Sequence, residues 1–345
     1  MKLPLLLALL LLLPATSFAQ LEGPNFLENW KASLLPAYLQ GEAGTLTTND
    51  SIHLSYRIFS KANSRNAIVI SPGRTEPAAK YAEVISDLSA AGYTIFILDH
   101  RGQGESDRLL ADSQIGHVNK FQDYVDDFKL FMDVVVNPRV KSAGIQNLHL
   151  LAHSMGAAIT TIYLEQNESP FRSAALSSPM FEPDLAPYSR LEAEAILQLN
   201  LLLGHGKEYV MGRGAYDPNI PVEKSELTHS VDRWSVYQQL ISDFPKLAIG
   251  GPSYHWLSEV LKIKARIFHD AIDYHTPSLL LEASNDTVVV EKTEEAFCSA
   301  VNAHNEINCE SHFYEGAEHE ILMEKDEYRS DAMAKISAWF IAHSN

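Results

Sequence analysis

Three residue types set far apart in this chain have the makings of a nucleophilic serine site. Residues 148–151 form a short apolar run that reads as a buried strand; the run breaks at Ala152-His153-Ser154-Met155-Gly156 and resumes as a helical stretch over 157–164. A serine at the apex of strand, sharp turn and helix is lifted clear of a sheet. The turn is strained, and the small residues two before and two after Ser154 meet that need. A hydroxyl is a poor nucleophile unless a base takes its proton and a third group orients the base. Asp286 follows the apolar strand at 278–281, and His319 lies in the loop after a strand at 309–314, so both leave strands as the serine does. Glu282 within its strand, and Asp270 and Asp273 before it, are poorer acids by position. The chemistry expected is attack on an acyl carbonyl. Its developing negative charge needs backbone N–H donors: one at Met155, the other at Arg74 in the loop after the first apolar strand, where Gly73 permits close approach. Each such donor contributes about 3 kcal/mol to the transition state.

The elements that must position these groups alternate in type. Residues 20–43 read as a helical lead-in with Leu27, Trp30, Leu34, Leu35 and Tyr38 on its apolar side, and 45–48 with 52–59 as a hairpin. Strands at 67–70, 93–98, 148–151, 174–176, 278–281 and 309–314 alternate with helices at 77–91, 121–136, 157–164 and 322–342. That rhythm predicts a mostly parallel central sheet with helices on both faces. It lapses over 184–276, which reads as a helical cap inserted before the strand that carries Asp286. The predicted units are a core of 20–183 and 277–345 and a cap of 184–276. Within the cap, Leu191, Ala195, Leu199, Leu202 and Leu203 share one helical face, and Tyr254 and Trp256 begin an aromatic segment. Leu199, Leu203, Tyr254 and Trp256 are expected to line an acyl-chain pocket.

At 345 residues and 46% hydrophobic content the chain can bury one large α/β core or two smaller ones. Residues 1–19 carry Lys2, an apolar run over 3–13 and small residues near Ala19, the pattern of a cleaved secretory signal. The run falls short of the roughly 20 residues that span a bilayer. The expected address is periplasmic or secreted, with anchoring by an uncleaved signal as the alternative. Loss of Lys2 would move the formal net charge from −17 to −18. Such an acidic chain excludes nucleic acid as a partner but leaves room for transient contact with a membrane surface. Cys298 and Cys309, with ten residues between them, are expected to pair in an exported protein. No metal is expected: His269 and Asp273 have helical ligand spacing but no evident further ligands, and Met323 stands where H-E-x-x-H, begun by His319-Glu320, needs its second histidine.

Taken in order, Ser71-Pro72-Gly73-Arg74, Asp99-His100-Arg101-Gly102-Gln103-Gly104-Glu105-Ser106, Gly116-His117-Val118, Asp123-Tyr124-Val125-Asp126-Asp127, Ala152 to Gly156, Gly250-Gly251-Pro252, Asp286 and Gly316-Ala317-Glu318-His319 resemble one family. They look like the serine α/β hydrolases of the monoglyceride lipase and lysophospholipase branch, most of all the bacterial envelope lysophospholipases, over roughly residues 50–342. The resemblance implies an α/β-hydrolase fold and hydrolysis of one fatty-acyl ester of a lysophospholipid or monoacylglycerol, without metal or organic cofactor. It gives Ser154 as nucleophile, His319 as base, Asp286 as orienter, and Arg74 and Met155 as oxyanion donors. Ala152 departs from the pattern by replacing the first glycine of the elbow. A generic carboxylesterase or acyltransferase is the nearest rival; a lipid-binding protein on the same fold is the rival without chemistry.

Overall fold

The apolar runs become the strands of one sheet. They are Glu42–Thr47 (β1), His53–Phe59 (β2), Asn66–Ser71 (β3), Thr94–Leu98 (β4), Asn147–His153 (β5), Ser173–Ser177 (β6), Ser278–Ala283 (β7) and Cys309–Tyr314 (β8). The structure is a computed structural model that describes residues 22–304 and 309–344, so the signal expected over 1–19 lies outside the described residues. The strand order is β1-β2-β4-β3-β5-β6-β7-β8. β2 pairs antiparallel with β1 and with β4, and every pairing from β4 through β3 to β8 is parallel. Alternate residues of the inner strands feed two cores. Val69, Leu150, Leu176 and Leu280 face one; Ile70, Leu151, Ala175 and Leu281 face the other. This is why β5, β6 and β7 read as unbroken apolar runs rather than as alternation.

Helices cover both faces. The lead-in path runs through Phe26–Asn29 (α1), a π turn at Trp30–Leu34 and Leu35–Leu39 (α2). Ala82–Ala90 (α3) follows β3. Phe121–Phe131 (α4) then passes through a second π turn, Met132–Val136, into Asn137–Ala143 (α5). Ser154–Gln166 (α6) leaves β5 directly. Between β6 and β7 come Arg190–Leu202 (α7), Val231–Asp243 (α8), Tyr254–Val260 (α9) and Ile263–Asp270 (α10); Lys292–His304 (α11) and Asp326–Ala342 (α12) complete the order. A disulfide joins Cys298 of α11 to Cys309 of β8, with a Cα–Cα distance of 5.2 Å. Among the described residues, no helix is long and apolar enough to cross a membrane.

The helical segment between β6 and β7 is stitched to loops of the core. The Gly116 N–H donates to the Gly251 carbonyl at 3.0 Å, and the Ser253 N–H to the Gly116 carbonyl at 2.8 Å. The Tyr237 hydroxyl of α8 reaches the Thr75 carbonyl at 3.4 Å, on the loop that follows β3.

Candidate active site

Ser154 sits at the junction of β5 and α6 with φ +49°, in the left-handed region that side chains other than glycine rarely adopt. The turn is affordable because α6 packs tightly on the loop after β3. A Cβ on Gly156 would lie 2.2 Å from the Ser71 carbonyl oxygen and 2.3 Å from that of Pro72, so only glycine fits there. His319 Nε2 lies 2.9 Å from Ser154 Oγ, and its Nδ1 lies 2.6 Å from Asp286 Oδ2. With the Nδ1 proton donated to the carboxylate, Nε2 is free to accept the serine proton. The other Asp286 oxygen accepts from the N–H groups of Val288 at 2.8 Å and Val289 at 3.0 Å, which fixes the carboxylate plane. The two loops that deliver acid and base clasp each other beyond the β7–β8 pairing: the Asn285 N–H donates to the Ala317 carbonyl, and the Gly316 N–H to Ser284 Oγ.

Ser154 and His319 are 4% and 3% exposed, so their chemistry is screened from bulk water. Burial alone would push the His319 imidazolium towards deprotonation, but the Asp286 carboxylate outweighs it and holds the pKa above the ordinary histidine value. Burial likewise works against Asp286 ionisation, and there His319 and the two backbone N–H groups win, holding its pKa below the ordinary aspartate value. The neighbouring histidines behave differently. His100 bonds Ser71 Oγ and His153 bonds the Ser177 carbonyl, and burial pushes both down to about 4, so they stay neutral.

The loop after β3 abuts the serine. A Cβ on Gly73 would come within 3.2 Å of the Ser154 Cβ and 2.9 Å of the His153 ring, which places the Arg74 backbone beside the nucleophile. The Arg74 side chain points elsewhere: its guanidinium donates to the Gly250 carbonyl and lies 5.2 Å from the Trp256 ring centroid. Met155, next after the serine, is fully buried at the start of α6.

The family model described as "Serine aminopeptidase, S33" matches residues 62–326. The chain belongs to this family. Lysophospholipase L2 of Escherichia coli strain K12 is 35% identical over 311 residues, covering 89% of each chain. The probable lysophospholipase L2 of Haemophilus influenzae is 31% identical over 317 residues, covering 91% of this chain and 96% of the relative. Among solved structures, a soluble variant of Saccharomyces cerevisiae monoglyceride lipase in complex with a substrate analogue superposes with a TM-score of 0.70 at 17% identity. It covers 88% of this chain and 95% of that one, and shows the α/β-hydrolase fold.

In this S33 member the four residues expected to line an acyl pocket separate into two groups. Trp256 is buried in the main core against Arg74, and Tyr254 is buried in a small cluster with Leu197 and Leu261. Leu199 and Leu203 are 56% and 62% exposed, because α7 buries Ala193 and Leu197 instead. A cavity of about 680 Å³ lies between Leu39, Glu105 and Phe244, and no triad residue lines it. Two site neighbours, Glu76 and Lys80, went unread in the sequence, and two others, Gln103 and Glu320, were noted there only as part of a motif and as the failed start of H-E-x-x-H. The only local signal was Glu76 and Lys80 at helical i, i+4 spacing in an otherwise apolar stretch.

Proposed function

We propose that this protein hydrolyses a single fatty-acyl ester of a lysophospholipid or monoacylglycerol through an acyl-enzyme on Ser154. The observation that carries this reading is the unbroken chain from Ser154 Oγ through the His319 ring to Asp286, at 2.9 Å and 2.6 Å. Ser154 Oγ attacks the acyl carbonyl as His319 Nε2 takes its proton, and the carbonyl oxygen becomes an oxyanion facing the N–H groups of Met155 and Arg74. Collapse expels the alcohol, which leaves with the proton from His319. Water then enters, gives a proton to the same nitrogen, attacks the acyl carbon, and a second collapse frees the fatty acid and restores the serine. The named activities of the bacterial relatives support a lysophospholipid as the acyl donor.

The reading extends to where the substrate is met. Leu191, Leu199 and Leu202 of α7, with Leu203 at its C-terminal cap, are 80%, 56%, 85% and 62% exposed, an apolar stripe suited to transient contact with a lipid surface. Export through the segment 1–19 belongs to the same proposal.

The test is kcat/KM for fatty-acid release from lysophosphatidylcholine and monoacylglycerol, beside short p-nitrophenyl esters and aminoacyl p-nitroanilides. The two lipids should lead and S154A should release nothing from any of them. Preference for the short esters would remove the lipid assignment, and preference for the anilides would replace the esterase reading with a peptidase. Absence of both turnover and fluorophosphonate labelling in the wild type would leave only a lipid-binding protein.

A further inference from the structure

The loop that carries Arg74 is held in a conformation that its own sequence does not favour. Thr75, the residue after Arg74, has φ +64°, an outlier for a β-branched side chain. Such a turn persists only where its surroundings over-determine it. Here they do so through two side chains. Glu76 Oε2 accepts the Gly73 N–H at 2.7 Å and the Tyr81 hydroxyl at 2.6 Å. From the other side, Gln103 Nε2 donates to the Gly73 carbonyl at 2.7 Å, and its Oε1 accepts the Thr75 N–H at 3.2 Å. The backbone on both sides of Arg74 is therefore pinned by two buried side chains, Glu76 at 1% and Gln103 at 4% exposure.

Glu76 is in turn tied to the base. Lys80 Nζ lies 2.9 Å from Glu76 Oε1 and 2.5 Å from Glu320 Oε1, and Glu320 is the residue after His319. One ammonium thus joins the loop behind the oxyanion to the loop that delivers the imidazole. Glu76, His153 and Glu320 also offer ligand atoms within 4.8 Å of one another, but Lys80 already supplies the cation between the two carboxylates, which argues against a metal. A buried ion pair is weak support for stability, since desolvation consumes much of its attraction; its better-attested yield is one fixed arrangement.

Resting on the hydrolase reading above, we infer that Glu76 and Gln103 are positioning residues that aim the Arg74 N–H at the oxyanion, and that Lys80 and Glu320 hold this loop in register with His319. Both side chains are committed to the loop backbone, so their loss should appear in kcat rather than in KM. Loss of one oxyanion donor lowers kcat by about 100- to 1,000-fold in serine hydrolases.

The experiment is steady-state kinetics on a p-nitrophenyl ester, together with the inhibition constant of an acyl trifluoromethyl ketone, whose hemiketal on Ser154 copies the tetrahedral oxyanion. In E76A, kcat should fall about 100-fold with KM changed by less than about threefold, and the ketone should weaken by a factor matching the kcat loss. E76Q, whose amide oxygen can still accept the Gly73 N–H, should keep kcat within about tenfold of wild type. If E76A does not fold, Q103A decides the matter, because it frees the Gly73 carbonyl and Thr75 N–H without stranding a buried charge. Its kcat and ketone affinity should drop together. A folded E76A or Q103A with wild-type kcat and ketone affinity, or with its whole loss in KM, would overturn the inference. A wild type inert to both ester and fluorophosphonate would instead sink the hydrolase reading on which it rests.

Discussion

The opposite shifts of Asp286 and His319 have a consequence for pH. The base works only when neutral, and the Asp286 carboxylate stabilises its protonated form, so the folded pKa of His319 stands above the ordinary histidine value near 6.5. Activity should therefore fall as the pH drops through a midpoint higher than that of a free histidine. In D286N that support is lost, so the acidic limb of kcat/KM should move to lower pH. The same variant should lower kcat by about 10³- to 10⁴-fold, because the amide no longer holds the productive tautomer. An unmoved limb in D286N would mean that Asp286 is not what sets the base. At this scale the sequence was informative where the chemistry demanded local features, a small-residue turn at Ser154 and loops after apolar strands at Asp286 and His319. It was silent where partners lie far apart. Lys80 meets Glu320 across 240 residues, and no spacing within either segment announces the other.

Elements were legible in type and less so in extent. The helix expected to stop at 136 continues through a π turn into α5, past Pro138, and the lead-in helix does the same past Pro36. In both, the π turn ends two residues before the proline, with Leu35 and Asn137 bonding back five residues to Trp30 and Met132. A proline clashes with the carbonyl four residues earlier, and the wider turn makes room for it, so a residue that ordinarily ends a helix was absorbed. The disulfide acts at the same scale by tying α11 to β8, the strand that leads to His319. Closing so short a loop stabilises by about 3 kcal/mol, mainly by restricting the unfolded chain. The double variant C298A/C309A should lose about that much in urea unfolding while kcat holds. The clasp in which the Gly316 N–H donates to Ser284 Oγ and the Asn285 N–H to the Ala317 carbonyl, not the sulfurs, keeps acid and base together. An unchanged urea midpoint would remove the disulfide from the account of stability, and a collapsed kcat in a folded variant would make it part of the site.

Across the whole molecule, charge and apolar surface pull in different directions. A formal net charge of −17 repels anionic lipid, while the exposed leucines of α7 form an apolar stripe on the helical segment that packs over the Arg74 loop. Periodicity in the sequence identified that stripe but not its neighbour. A helical face carries no sign of whether its partner is another part of the chain or something outside it. In the structure Ala193 and Leu197 take the packing role and the leucines stay exposed. If a lipid surface is what covers them, binding should depend on the apolar stripe and be opposed by anionic lipid through the field of the acidic protein, an opposition that fades with added salt. The triple variant L199S/L202S/L203S should then float poorly with zwitterionic phosphatidylcholine vesicles and lose about tenfold in kcat/KM on vesicle-borne monoacylglycerol, the loss expected from about 1.4 kcal/mol of apolar contact. Its turnover of a soluble p-nitrophenyl ester should match wild type, because the three side chains are exposed whereas Ser154 and His319 are buried. Wild type should bind vesicles containing phosphatidylglycerol less well than pure phosphatidylcholine at low salt, and the gap should close at high salt. Equal activity of the triple variant on vesicle-borne and soluble substrates, relative to wild type, would show that the enzyme meets its lipid by some other face.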